Sequence, residues 1–449
     1  MEAREDRGVK EIRHQTTHAF LANEQDVRVQ FHLLSFEGPD DYAQAGSLAS
    51  RITGLAHVLA EAGFDTHLWF VGDPDLPGHE AHDHLRLYRW CQWISRYHPR
   101  GVYDGAEGKQ ADYAASLPPF LLREVLLPHL RHGGHAVILA EEWHTVHTVL
   151  HLDWLLRQAQ VRSQVTLLWN ANSTIAFERI DWGRLTAAAI ITTVSRYMKH
   201  LMQRLGIDPL VIPNGLSADA LVLPEQKAVA TFRARLRGRT VVTKVARWDP
   251  EQHWLLAIDT LGVMKRLRWQ PLLIARGGAE AYGAHMLAAA ARAGLRVVER
   301  THPQPGICGL LHILEDLEEA DIVSLRSPLD AESRRVLFQS ADVVWANSGH
   351  EPFGLVGLET MAVRGLACTG CSGEDYAVPG RNALVLETTD PWEFIGLFEE
   401  VRTAPAQERA MRRAGRITAQ QYVWSQIMDR ILLPRLRLLT GLPTPWGQP

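Results

Sequence analysis

The sequence predicts an α/β protein made of two doubly wound domains, and three observations carry that expectation. Short apolar, β-branched runs alternate with longer amphipathic stretches along almost the whole chain, the pattern of units that build a parallel sheet covered by helices. The chain has 449 residues, about three times an ordinary domain. The rhythm pauses once, at the turn Pro213-Asn214-Gly215, and then starts again.

The first series opens with residues 27–36 (VRVQFHLLSF), a near-continuous apolar run of strand length. Residues 48–62 follow as a helix, because Leu48, Ile52, Leu55, Leu59 and Ala62 recur at three- and four-residue steps and so share one face, with Gly63 as its stop. Further strands are expected at 66–71, 136–140, 165–169, 190–194 and 210–212. A polar stretch, 217–226, leads into the second series, with strands at 240–246, 271–275, 296–299, 322–325, 343–346, 366–369 and 383–386. A last amphipathic helix, 424–439, is expected to break at Pro434. The resulting partition is a mobile tail at 1–24, Rossmann-like domains at 25–216 and 217–415, a carboxyl-terminal helix at 416–440 that crosses back to the first domain, and a disordered tail at 441–449. Open α/β sheets bind ligands beyond the carboxyl ends of their strands, so two such domains imply an interdomain cleft.

Composition narrows the function. With 46% hydrophobic and 22% charged residues the chain reads as an ordinary soluble globular protein. Its 47 basic and 51 acidic residues give a formal charge of -4, which argues against nucleic acid or an anionic membrane as the main partner. Four cysteines are too few for a disulfide framework and suit a reducing, cytoplasmic setting. The amino-terminal MEAREDRGVKEIRHQ has no apolar core of a secretory signal. No run approaches the roughly 20 apolar residues of a membrane span; the nearest, 185–194, holds three threonines and reads as a buried strand.

The segment most informative about chemistry is 347–364, NSGHEPFGLVGLETMAVR. A strand, a short loop with Pro352 and Gly354, and a helix together make a phosphate-type site, in which the amides of Gly354 and Leu355 face an anion at the helix amino end. Glu351 precedes the helix and Glu359 lies inside it, on the order of 10 Å away at the helical rise. That separation suits the two ends of a diphosphate-linked ligand.

With its Glu-Pro-Phe-Gly-Leu context, this string resembles the Glu-x7-Glu signature of retaining glycosyltransferases of the GT-B fold, family 4 and the related glycogen and starch synthases. The resemblance implies a nucleoside diphosphate sugar as co-substrate, no required metal or other cofactor, and a carbohydrate or small hydroxyl acceptor. It implies that Glu351 faces the donor sugar and Glu359 holds the nucleotide ribose, with Phe353, Gly354 and Leu355 lining the donor site. Residues 241–256, VTKVARWDPEQHWLLA, are similar to the family's Arg-x4-Lys clamp on the leaving diphosphate: Arg247 matches, whereas Gln252 stands at the lysine position and supplies no charge. His253 or Lys244 could compensate. Gln44-Ala45-Gly46-Ser47-Leu48 resembles the Lys-x-Gly-Gly-Leu loop, keeping Gly46 for close approach to phosphate and losing the lysine. Glu142-Trp143-His144-Thr145 resembles the Asp-Trp-His-Thr segment whose histidine contacts the donor sugar, a role the resemblance gives to His144. Glu374-Asp375-Tyr376 and 382–385 match the segment after the glutamate motif, with no role attached.

The implied activity is retaining transfer of a hexosyl group, glucosyl first, to an acceptor hydroxyl. The alternatives are a nucleotide-sugar epimerase of the same fold and a sugar-nucleotide or glycan-binding protein with little turnover, the latter motivated by Gln44 and Gln252. Other features have plainer readings. His144, His147 and His151 share a helix face without a carboxylate or cysteine at ligand spacing. Cys368 and Cys371 form a lone C-x-x-C, Asp73-Pro74-Asp75 reads as a turn, and Arg233, Arg235, Arg237 and Arg239 as a solvated helix end.

Overall fold

The computed structural model describes residues 28–301 and 304–441; the expected tail 1–24 lies outside them, as does the expected tail 441–449 beyond Gly441. The first sheet contains β1 (Val29–Leu34), β2 (Asp65–Val71), β3 (His79–His82), β4 (Leu85–Trp90), β5 (His135–Glu141), β6 (Val165–Ala171), β7 (Ile190–Thr193) and β8 (Leu210–Val211) in the order β3-β4-β2-β1-β5-β6-β7-β8. β3 runs antiparallel to β4, while β4, β2, β1, β5 and β6 pair in parallel. The second sheet contains β9 (Thr240–Val245), β10 (Pro271–Arg276), β11 (Val297–Arg300), β12 (Ile322–Leu325), β13 (Val343–Ala346), β14 (Ala367–Thr369) and β15 (Leu384–Val385), all parallel, in the order β11-β12-β10-β9-β13-β14-β15. The described chain divides into two compact units: residues up to Thr192 with those from Met428 onward, and Thr193–Ile427.

Strand periodicity explains why the second sheet is covered on both faces. Val242, Leu273, Val343 and Trp345 point into one apolar core, and their neighbours Val241, Leu272, Ile274 and Val344 into the other. Complete burial of each such side chain stabilises by roughly 1.5–3 kcal/mol. In the first unit, helix α1 (Ser47–Glu61) buries Leu48, Ile52, Leu55 and Leu59 as its expected stripe. Arg51 on the same helix is also buried and pairs with Glu141 at the end of β5, at 3.0 Å, which ties α1 to the sheet.

Three expectations need correction. Residues 185–188 close a helix, Trp182–Ala188, and the strand begins only at Ile190. The β3–β4 hairpin has no counterpart among the expected strands, because HEAH is a charged, mostly exposed edge strand with no apolar run. The terminal helix does not break at Pro434: Trp424–Ile427, a π turn at Met428–Leu432 and Leu433–Thr440 follow one another without interruption. The π turn absorbs the missing proline donor one turn upstream. Among the described residues no helix is long and apolar enough to cross a membrane.

Candidate functional site

In the second unit β9, β13 and β14 are neighbours, so the loops leaving their carboxyl ends, 246–253, 347–354 and 370–376, converge. Helix α2 (Leu355–Ala362) begins at this point, with Gly354 as its N-cap and no side-chain cap. The loops interlock closely. A Cβ on Gly373 would lie 2.2 Å from the carbonyl oxygens of Glu351 and Pro352, so that position requires glycine. The Glu351 amide donates to Ser372 Oγ at 3.1 Å across the two loops.

Glu351 is largely buried at the head of this cluster. Burial raises its pKa, while hydrogen bonds from Gln252, the Phe353 amide and Ser348, and the field of Arg247, act in the opposite sense. Gln252 is thus more than a lost cation: its amide positions Glu351. Arg247 is exposed and makes no salt bridge among the described residues; its carbonyl accepts from Trp254 Nε1 at 2.8 Å, which fixes the loop. Glu359 is partly buried on α2, with Arg334 3.6 Å away, and burial raises its pKa. Phe353 is buried, its ring packed against Tyr376 and Tyr422, so it supports the loop cluster from within and offers a ligand only its backbone. The cluster therefore gathers Arg247, Gln252, Glu351, Gly354 and Leu355 at one helix amino end, an arrangement suited to an anion and its hydroxylated neighbour.

The compensating cations take different positions. Lys244 is fully buried beneath the loops, its ammonium donating to the Asn347 carbonyl at 2.9 Å and to Asn347 Oδ1 at 3.1 Å. Burial lowers its pKa to about 7. His253 is half-buried, in the left-handed region at φ 50°, and burial lowers its pKa below the usual range. Neither presents a firm positive charge at neutral pH. A lysine at 252 would, and Gln252→Lys is expected to tighten ADP or UDP about fivefold, or about 1 kcal/mol. Calorimetric titration measures this, and an unchanged affinity would show that the diphosphate is not met here.

In the first unit β1 and β5 are adjacent, and the loops that follow them carry the other predicted residues. The Gly46 amide is engaged from within: Glu37 Oε2 accepts from Gly46 at 3.0 Å and from Ala49 at 3.0 Å, while Tyr103 donates to Glu37 Oε1 at 2.6 Å. The chain's own carboxylate thus occupies the amino end of α1. His144 is buried on a single turn, Trp143–Thr145, just ahead of the helix Val146–Gln158; its ring stacks on Phe36 with centroids 4.5 Å apart. Burial lowers its pKa to about 4, so it is a neutral imidazole at pH 7, and its Nδ1 has no partner among the described residues. Next to it Glu142 holds φ 66°, ψ 167°, a strained conformation for a residue with a side chain. Its carboxyl accepts from the Asn172 amide at 2.7 Å and from Ser173 at 3.1 Å, and burial pushes its pKa up to about 8.

Sequence motifs do not mark Glu37, Tyr103 or Glu142 for these contacts: Tyr103 meets Glu37 across 66 residues and Glu142 meets Asn172 across 30, while Glu37 caps Gly46 and Ala49 from the start of its own loop. The plainer readings resolve individually. His147 is exposed and His151 Nδ1 pairs with the Ala114 carbonyl at 2.9 Å. Cys368 is buried and Cys371 exposed, both free. Asp73 accepts the Asp75 amide at 2.9 Å in a turn. The arginine run is more than a solvated end: Arg233 pairs with Asp342, Arg235 with Glu315, and Arg239 ties down the carbonyls of Gln270, Pro271, Leu317 and Ala320. No group of three or more metal-ligating side chains occurs among the described residues.

No family model matches the chain. A D-inositol 3-phosphate glycosyltransferase of Paenarthrobacter aurescens is 29% identical over 138 residues, 30% of this chain and 34% of that protein, so the chain spans about a third of the curated relative's length. Among solved structures, sucrose-phosphate synthase from Thermosynechococcus elongatus matches 92% of this chain and 100% of its own, with a TM-score of 0.63 and 19% identity. The catalytic domain of starch synthase IV from Arabidopsis thaliana, bound to ADP and acarbose, matches 93% of this chain and 99% of its own, with a TM-score of 0.64 and 12% identity. The chain therefore has the fold of these glycosyltransferases, two parallel-sheet α/β domains of the GT-B kind, and is similar to a glycosyltransferase in sequence over part of its length.

Proposed function

We propose that the protein is a retaining glycosyltransferase that moves a hexosyl group, glucosyl first, from a nucleoside diphosphate sugar to a hydroxyl of a glycan or small saccharide. The observation that carries this reading is the placement of Glu351 beside the uncapped amino end of α2, with Gln252 bonded to it and Arg247 exposed nearby. Such a site stabilises charge developing on a leaving diphosphate through Arg247 and the amides of Gly354 and Leu355, while Glu351 orients the sugar hydroxyls. A leaving phosphate oxygen takes the acceptor's proton, so the reaction needs no strong protein base. The solved starch synthase bound to ADP supports an adenosine diphosphate donor as the first to try.

The test incubates the protein with ADP-, UDP- and GDP-hexoses, with and without saccharide acceptors. The expected result is nucleoside diphosphate release that depends on acceptor, with the anomeric configuration of the donor kept in the product. An epimerised donor formed without acceptor would replace this reading by the epimerase. Binding across the panel with no product would replace it by a sugar-nucleotide-binding protein, the outcome that Gln252 in place of a lysine favours.

A further inference from the structure

The carboxyl group of Glu374 has no role in the proposed transfer, yet it lies near Glu351. It is 4% exposed. A Cβ built on Gly354 would be 3.1 Å from Glu374 Oε1 and 3.4 Å from Glu351 Cγ, so these two atoms are separated by no more than about 6.5 Å, the sum of those distances. The two residues also share a partner: Ser372 Oγ accepts the Glu351 amide at 3.1 Å and approaches Glu374 Oε2 at 3.5 Å. Oε1 of Glu374 has no hydrogen-bond partner among the described residues. An ionised carboxylate would leave that oxygen charged, buried and unpaired, which is unfavourable.

We propose that Glu374 is a positioning residue for Glu351: the two form a buried carboxyl pair that holds one proton, carried by Glu374, which leaves Glu351 as the carboxylate that meets the donor. This assignment rests on the functional reading above for its effect on transfer, though the pair itself does not depend on that reading. A second negative charge is disfavoured in a buried site that already holds one nearby. Burial, and then the charge of Glu351, push the pKa of Glu374 up to about 8. The other ionisable groups facing the pair are Arg247 toward Glu351, Lys244 from β9 beneath both, and Tyr376 on the same loop, whose hydroxyl donates to the Gly354 carbonyl.

The sign follows from the raised pKa. The contribution of Glu374 to stability is fully present below the unfolded carboxyl value and is lost as pH rises through about 8. Lys244, whose pKa is lowered, works in the opposite sense, and Glu142 in the first unit in the same sense, so the pair is read from a difference between proteins. The experiment compares wild type with Glu374→Gln, which keeps the shape and removes the ionisation, and with Glu374→Ala. Melting temperature is followed from pH 5 to 9, and kcat/KM for transfer from ADP-glucose or UDP-glucose over the same range. Expected is that wild type loses stability relative to Glu374→Gln as pH rises from 5 to 8, and that its activity falls with a midpoint near pH 8, a limb absent from Glu374→Gln. Glu374→Ala should also lose the alkaline limb while falling about tenfold in activity at neutral pH, because Glu351 loses its support. If the two melting profiles ran parallel and Glu374→Gln kept the alkaline loss of activity, the ionisation would belong to another group and the pair would be overturned. If wild type lost stability relative to Glu374→Gln as expected but transferred no sugar, the pair would stand and the functional reading would fall.

Discussion

Replacing Glu351 by alanine is expected to lower the rate of hexosyl transfer about 10²–10³-fold, the range typical of losing one preorganised polar group from a site of developing charge. The structure shows why the effect should be specific. Glu351 is held by Gln252, Ser348 and the Phe353 amide, and its own amide is anchored on Ser372, so its position is preorganised before any ligand arrives. Its removal takes a carboxylate away from buried Lys244, but Lys244, bonded to Asn347 and with a pKa lowered to about 7, can shed its proton, and Arg247 is exposed, so the variant should melt within a few degrees of wild type rather than unfold. Steady-state kinetics with the true donor, alongside thermal melting, checks both halves. Unchanged turnover would remove Glu351 from the mechanism, whereas lost turnover with lost folding would assign it to structure.

The second large effect is acid destabilisation between about pH 6.5 and 4. Four histidines of the first unit are buried with lowered pKa values: His67, His135 and His144 to about 4, and His32 well below the usual range, each chiefly through burial. Donors meet a ring nitrogen in two of them, and at His67 burial outweighs the Asp65 carboxylate 3.3 Å from Nε2. Trp69 Nε1 donates to His32 Nδ1 at 3.3 Å, and Arg86 lies 3.2 Å from His67 Nε2. A depressed pKa means that the stabilisation is present above the unfolded value and is lost as pH falls through the folded one. A tenfold change in proton affinity is worth about 1.4 kcal/mol, so a histidine moved to about 4 can lose on the order of 3 kcal/mol across this window. Buried carboxyls act in the opposite direction by binding protons earlier in the folded state: Glu142 and Glu374, raised to about 8, and Glu141, Glu351 and Glu359, raised by burial. They offset part of the loss, and the net fall is expected to be on the order of a few kcal/mol. Chemical denaturation at pH 7, 6, 5 and 4.5 measures it. His67→Phe isolates one histidine and should lose about 2–3 kcal/mol less than wild type over that range. Profiles that fell equally in the two proteins would contradict a neutral, buried His67.

Much of the fold is readable locally because the strands are short runs whose period is set by burial. β12 and β13 begin and end where the apolar runs 322–325 and 343–346 do, and most of the others differ by a residue or two. Of the β3–β4 hairpin only β3 is unreadable, a polar edge strand held by pairing to β4; β4, LRLYRW, alternates buried and half-buried residues at strand period and is a strand the sequence does signal. Pro434 reads as a break because a proline removes one donor, whereas the chain accommodates that loss in a π turn.

The candidate site divides in the same way. The strand-loop-helix pattern around Glu351 and Gly354 is local, and the sequence alone places the loop, the helix and its amino end correctly. Contacts between segments distant in the chain follow no motif. Gln252 bonded to Glu351, Lys244 turned inward to Asn347, and Glu374 set near Glu351 all arise because a sheet brings together loops from segments apart in sequence, whereas Glu37 closes the amino end of α1 from within its own loop. Residue type and spacing specify which backbone groups a loop can offer. Burial and the neighbours supplied by adjacent strands set each group's charge, and those are properties of the packed chain alone.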